Sequence, residues 1–178
     1  MDLPGDLAAI ARRLELHDLY TAYAECLDSD ALERWPEFFT EDCRYRITSA
    51  ENYDSGLPLG LIYATSKNML HDRVSALREA NIYEPQRYRH IVSGLQIGGG
   101  IRSAGVSPAS GRDGRTPDEL DLAANFVVIR TMQDGAMTLF AAGRYLDRVV
   151  RRDAGWLFAS KDVVLDSRQI DTLLAIPL

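Results

Sequence analysis

The chain has 178 residues, 46% hydrophobic and 26% charged, the proportions of an ordinary folded protein, which exclude disordered, collagen-like and low-complexity classes. Its length fits one domain over residues 1–178, and a domain of this size buries about 68 to 70% of the surface its unfolded chain exposes without a disulfide or metal staple. A formal net charge of −6 fits poorly with neutralising many phosphates, so nucleic acid is not an expected partner, and no apolar run approaches the roughly 18 residues that suggest a membrane span.

The N-terminus is acidic where a signal peptide is basic, so the expected location is the cytoplasm, and Cys26 and Cys43 are expected to be reduced, buried thiols. Along residues 6–27, Leu16, Leu19, Tyr20, Tyr23 and Leu27 recur with the period of one helix face. Asp28-Ser29-Asp30 supplies capping oxygens for a shorter helix over 31–39, which ends in the aromatic cluster Trp35, Phe38 and Phe39. Residues 43–48 alternate Cys43, Tyr45 and Ile47 against Arg44, Arg46 and Thr48, which is strand patterning, and 49–58 reads as a loop.

A helix over 66–80 carries Leu70, Val74 and Leu77 on one side, and 90–97 resumes strand character. Residues 98–119 hold six Gly, two Pro and three Ser without apolar periodicity, and are expected to form an exposed, flexible loop. Strands follow at 125–132, 138–147 and 156–165, joined through Asp134-Gly135 and Asp153-Ala154-Gly155, turns suited to antiparallel hairpins. Helices first and an antiparallel meander last make an α+β domain, its helices on one face of the sheet.

His17, His71 and His90 are never paired at ligand spacing with one another or with a cysteine, so no metal site is expected in this chain. Gly98-Gly99-Gly100 lacks the strand and helix that make a nucleotide-binding turn, and no Ser stands in a nucleophile elbow. The candidate acid/base residues are Asp28, Tyr45 and His90: a carboxylate, a phenol and an imidazole on one cavity can transfer protons near neutral pH. Each also has a plain structural reading, as a helix cap, an inward strand aromatic and a satisfied buried histidine. Arginines gather at Arg73, at Arg87 and Arg89, and around Arg144, as solvated faces or as contacts to a partner's carboxylates.

The ordered series Tyr20, Tyr23, Leu27-Asp28, Trp35, Phe38-Phe39, Asp42, Tyr45, then Arg73, then Arg87-Tyr88-Arg89-His90-Ile91-Val92-Ser93, Gly143-Arg144-Tyr145-Leu146-Asp147 and Val164-Leu165-Asp166 resembles the small (β) subunit of aromatic-ring-hydroxylating dioxygenases. Asp28-Ser29-Asp30-Ala31 and residues 77–84 look most like the terephthalate 1,2-dioxygenase branch of that family.

The resemblance implies a cystatin-like cone of the nuclear transport factor 2 type, a curved antiparallel sheet packed on N-terminal helices. It also implies a structural role beside a large α subunit that carries a Rieske [2Fe–2S] cluster and a mononuclear non-haem iron, usually as α3β3, with a β trimer beneath the α trimer. That complex adds both atoms of O2 to an aromatic ring, here an aromatic carboxylate such as terephthalate, with electrons from NAD(P)H. The family offers no catalytic, cofactor or metal residue to carry over, and the interface is expected to draw on Arg73, Arg87, Arg89, Arg144 and Leu178. The rival reading is a stand-alone dehydratase or isomerase of the same fold, with Asp28 and His90 as its acid/base pair and Tyr45 assisting.

Overall fold

The structure, a computed structural model, describes residues 3–58, 60–79, 84–98, 118–169, 174 and 176–178, with side chains from residue 7 onward. Helix α1 (Leu3–Asp28) buries Leu16, Tyr20, Tyr23 and Leu27, the face expected from their spacing. It closes in a Schellman turn: Ala31 N–H donates to the Cys26 carbonyl (3.0 Å), Asp30 N–H to that of Leu27 (3.2 Å), and Asp30 takes a left-handed φ of 56°. The segment after it, Leu32–Phe38, is a 3₁₀ helix whose N-cap, Ala31, offers no side-chain bond. The capping role expected of Asp28-Ser29-Asp30 is therefore corrected. The run ends α1 through its backbone and leaves both carboxylates free for distant partners.

Strand β1 (Phe39–Ser49) alternates as expected, with Cys43, Tyr45 and Ile47 buried. The loop expected after it instead begins with helix α2 (Ala50–Asp54), whose first turn is capped by Ser49 Oγ accepting from Asn52 N–H (3.3 Å). Strand β2 (Ile62–Ala64) is too short to carry a period, and α3 (Lys67–Glu79) buries Leu70, Val74 and Leu77. The meander is β3 (Gln86–Ile97), β4 (Glu119–Met132), β5 (Met137–Arg152) and β6 (Gly155–Leu165). Of the Gly-rich stretch, 99–117 lies outside the described residues.

The sheet has six strands in the order β2-β1-β6-β5-β4-β3. It is mixed, which corrects the antiparallel expectation: β1 runs parallel to β6, with Tyr45 opposite Lys161 and Ile47 opposite Val163. Helices α1 and α3 and the 3₁₀ helix lie on one face and the core beneath them is aromatic, whereas α2 sets Tyr53 against Arg46 on the other face, which corrects the expectation that all helices share one face. Trp35 meets Phe39 and Tyr45 edge-on at 5.6 and 5.1 Å between ring centres, and Tyr23 meets Phe158 at 5.5 Å.

Candidate functional site

Three clusters of polar side chains lie inside this aromatic core. The first joins the end of α1 to β3. Asp28 accepts from the backbone N–H of His90 (3.0 and 3.1 Å) and from its ring Nδ1 (2.6 Å). A carboxylate only accepts, so Nδ1 is the ring nitrogen that donates to Asp28. The His90 side chain is 1% exposed, and Nε2 has no partner among the described residues. A cavity of about 590 Å³ lies beside it between α1 and β3, lined in part by Tyr20, Thr21, Asp28, His90, Val92 and Leu95.

The second cluster is the seat of the C-terminal segment. The Leu178 carbonyl accepts from Tyr23 Oη (2.9 Å) and Tyr45 Oη (3.0 Å), and Leu178 N–H donates to Tyr45 Oη (3.0 Å). Trp35 Nε1 donates to Tyr23 Oη (3.1 Å), and Arg73 Nη2 to the Leu174 carbonyl (3.0 Å). Burial raises the Tyr23 and Tyr45 hydroxyls above the ordinary tyrosine range and lowers the Arg73 guanidinium.

Lys161 and Asp147 form the third, with Lys161 Nζ 2.8 Å from Asp147 Oδ2 and neither side chain exposed. Tyr20 Oη donates to the same Oδ2 (2.6 Å). The ammonium is ringed by Tyr20, Tyr23, Tyr145 and Phe158, with the Tyr145 ring centre 3.6 Å away. Burial pulls the lysine down and pushes the aspartate up, while their mutual attraction opposes both shifts.

Of the three acid/base candidates, the structure brings Asp28 and His90 together, and the Tyr45 hydroxyl is engaged instead by the backbone of Leu178. Among the interface candidates, Leu178 is 1% exposed and Arg73 is turned inward, which gives both an intramolecular role in this conformation. Arg87 and Arg89 stand exposed on β3, and Arg144 is half-buried on β5. Among the described residues no three His, Cys, Asp or Glu side chains are grouped to hold a metal. Cys26 and Cys43 are buried and unbridged, and burial raises the Cys43 thiol to about 11, so it is inert as a nucleophile.

Lys161 was missed by sequence reasoning. In β6 the inward positions begin as Trp156 and Phe158, but a bulge sets Phe158 opposite Val149 and Ser160 opposite Arg148, and the parity shifts to Lys161, Val163 and Leu165. A period-2 reading gives no warning of that slip.

Residues 22–172 match the family described as ring hydroxylating beta subunit. The chain belongs to that family. This β-subunit chain is 44% identical over 164 residues to the anthranilate 1,2-dioxygenase small subunit of Burkholderia cepacia, covering 92% of each chain. It is also 44% identical over 157 residues to a terephthalate 1,2-dioxygenase terminal oxygenase β subunit of Comamonas sp., covering 88% of this chain and 92% of that one. A crystal structure described as the β subunit of an aromatic-ring-hydroxylating dioxygenase from Novosphingobium aromaticivorans superposes with a TM-score of 0.79 at 35% identity, covering 97% of this chain and 99% of that one. The fold of the β-subunit chain is the cystatin-like α+β type of nuclear transport factor 2.

Proposed function

We propose that this β subunit is the non-catalytic, structural member of the terminal oxygenase of an aromatic-ring dioxygenase, assembled in the cytoplasm with a large oxygenase subunit as α3β3 on a β-trimer base. The partner holds the Rieske cluster and the mononuclear iron, and the substrate class is an aromatic carboxylate. The two relatives of equal identity act, by their names, on anthranilate and terephthalate, which share a ring-borne carboxylate, and this supports the class without choosing between them.

The observation that carries the structural reading is the engagement of Tyr45 by the C-terminal segment: the phenol that a stand-alone dehydratase would present to substrate is bonded on both sides to Leu178.

The test is purification of the tagged chain from its native cells. Recovery with a larger subunit of Rieske absorption in equal amount, together with no turnover of aromatic acids by the chain alone, is the expected result. A colourless homo-oligomer that dehydrates or isomerises a substrate, and loses that activity in His90→Ala, would establish the rival reading.

A further inference from the structure

The cavity of about 590 Å³ beside the Asp28–His90 pair is a cleft between α1 and β3, and β3 is the end strand of the sheet order. A tie closes the cleft at each end. Asp28 accepts from the backbone N–H and ring of His90 at one, and Arg13 Nη2 donates to the Leu95 carbonyl (2.8 Å) at the other.

The strand side of the cleft carries open backbone groups. His90 stands opposite Val128 of β4 yet gives its N–H to Asp28, so it holds a position of the antiparallel ladder whose N–H and C=O point away from β4. Val92, two residues on in the same unbroken register, turns its own N–H and C=O the same way, toward the cavity that it lines. Tyr20 and Ala24 supply an apolar wall from the helix side.

Charge is divided along the cleft. Arg13, with His17 one turn on along the same side of α1, lies at the Leu95 end, and Glu25 and Asp28 lie toward the His90 end. Arg13 gives one N–H to Leu95, and the rest of its planar fork has no partner among the described residues. An anionic group is drawn to the Arg13 end and repelled from the other, which fixes the orientation of any acid that enters. The volume falls within the range of about 300 to 1,000 Å³ that small-molecule sites occupy.

We propose that this cleft is a binding site for a small aromatic acid, its carboxylate on Arg13 and His17 and its ring between Tyr20, Ala24 and Val92. The site is built from this chain alone, so it goes beyond the subunit reading above and needs no partner. The ties at Arg13–Leu95 and Asp28–His90 leave no path for a continuing peptide strand along the edge of β3.

The backbone amide resonances of the chain are followed as benzoate is added, with benzamide as its uncharged counterpart. The expected result is saturable shifts centred on Ala24, Val92 and Leu95, with binding about tenfold weaker for benzamide and about tenfold weaker for benzoate in Arg13→Gln. Thr21→Trp, at an exposed position of the cavity wall, is expected to abolish the shifts, and Ser93→Trp takes its place should the urea midpoint fall.

The absence of saturable shifts with benzoate up to about 10 mM would overturn the site, and so would wild-type affinity in both tryptophan variants. Equal affinity for benzamide, or wild-type affinity in Arg13→Gln, would overturn the acid as its ligand. Each of these failures leaves the subunit reading standing, because that reading is decided by recovery of a Rieske-coloured partner and not by the isolated chain.

Discussion

Lys161 Nζ lies 2.8 Å from Asp147 Oδ2 with both side chains fully enclosed, so an ion pair replaces apolar packing at the centre of an aromatic core. Removing one partner leaves the other charge buried and uncompensated. Lys161→Met is expected to cost about 3 to 5 kcal/mol, and the double variant Lys161→Met/Asp147→Leu to recover most of it, because a matched apolar replacement of a buried pair is commonly near neutral. Urea unfolding of both variants checks this. A double variant no better than the single would show that Asp147 acts mainly through Tyr20.

Asp28 satisfies two buried donors of His90, the backbone N–H and Nδ1. Asp28→Ala strands both, and at about 1 to 3 kcal/mol per stranded donor the chain should lose several degrees of melting temperature. Hydrogen exchange should show the His90 amide opening faster. Turnover per assembled oxygenase is expected to stay at the wild-type level. An assembled complex that carries Asp28→Ala, keeps its iron and has lost turnover would return the pair to a chemical role.

Gly143 stands where a Cβ would lie 2.0 Å from the Val164 carbonyl oxygen of the neighbouring strand. Gly143→Ala must push β5 away from β6 at the register step where Gly143 faces Leu165. Overpacking of this kind costs about 1 to 3 kcal/mol, and more where the obstacle is backbone. A urea midpoint equal to wild type would mean that the two strands separate freely at this point.

Glu15 on α1 receives Trp156 Nε1 (2.9 Å) and both Nη atoms of Arg151 (2.8 and 3.1 Å). The Trp156 bond, then Arg151, holds its carboxyl below the ordinary glutamate range. A folded value below the unfolded one makes this clasp stabilising above the ordinary glutamate range, and the contribution is lost as pH falls through the folded value. The stability gap between wild type and Glu15→Gln should therefore narrow between roughly pH 6 and roughly pH 3. A gap independent of pH would show that the indole bond acts without the charge.

The face of α1, the core strands and the helical side of α3 were legible because Leu16, Tyr20, Tyr23 and Leu27, or Cys43, Tyr45 and Ile47, repeat at the period of their element. The start of β4 was not legible, since Ala123 and Ala124 carry almost no alternation. The parallel pairing of β1 was not legible either, because strand order depends on tertiary closure and leaves no local mark.

At the candidate site, Asp28 and His90 were named from residue type, and their contact spans 62 residues that no local pattern links. Tyr45 was expected to face inward and does, yet its partner is the backbone of Leu178, and a backbone partner cannot be read from side-chain identities. The motif Gly143-Arg144-Tyr145-Leu146-Asp147 resolves into two faces: Gly143, Tyr145 and Asp147 are enclosed, while Arg144 and Leu146 are partly open on the other side.

The junction of β1 with β6 orders the birth of the protein. Strand β1 is made early, but its parallel neighbour emerges more than a hundred residues later, so during synthesis the α1–β1 portion has only short β2 to pair with. The meander can close by local hairpins as it leaves the ribosome, whereas the two halves of the sheet join only when β6 arrives. Until then one side of β1 presents unpaired peptide groups and Ile47 to the cell, which makes that edge the point where a stalled or truncated chain would aggregate.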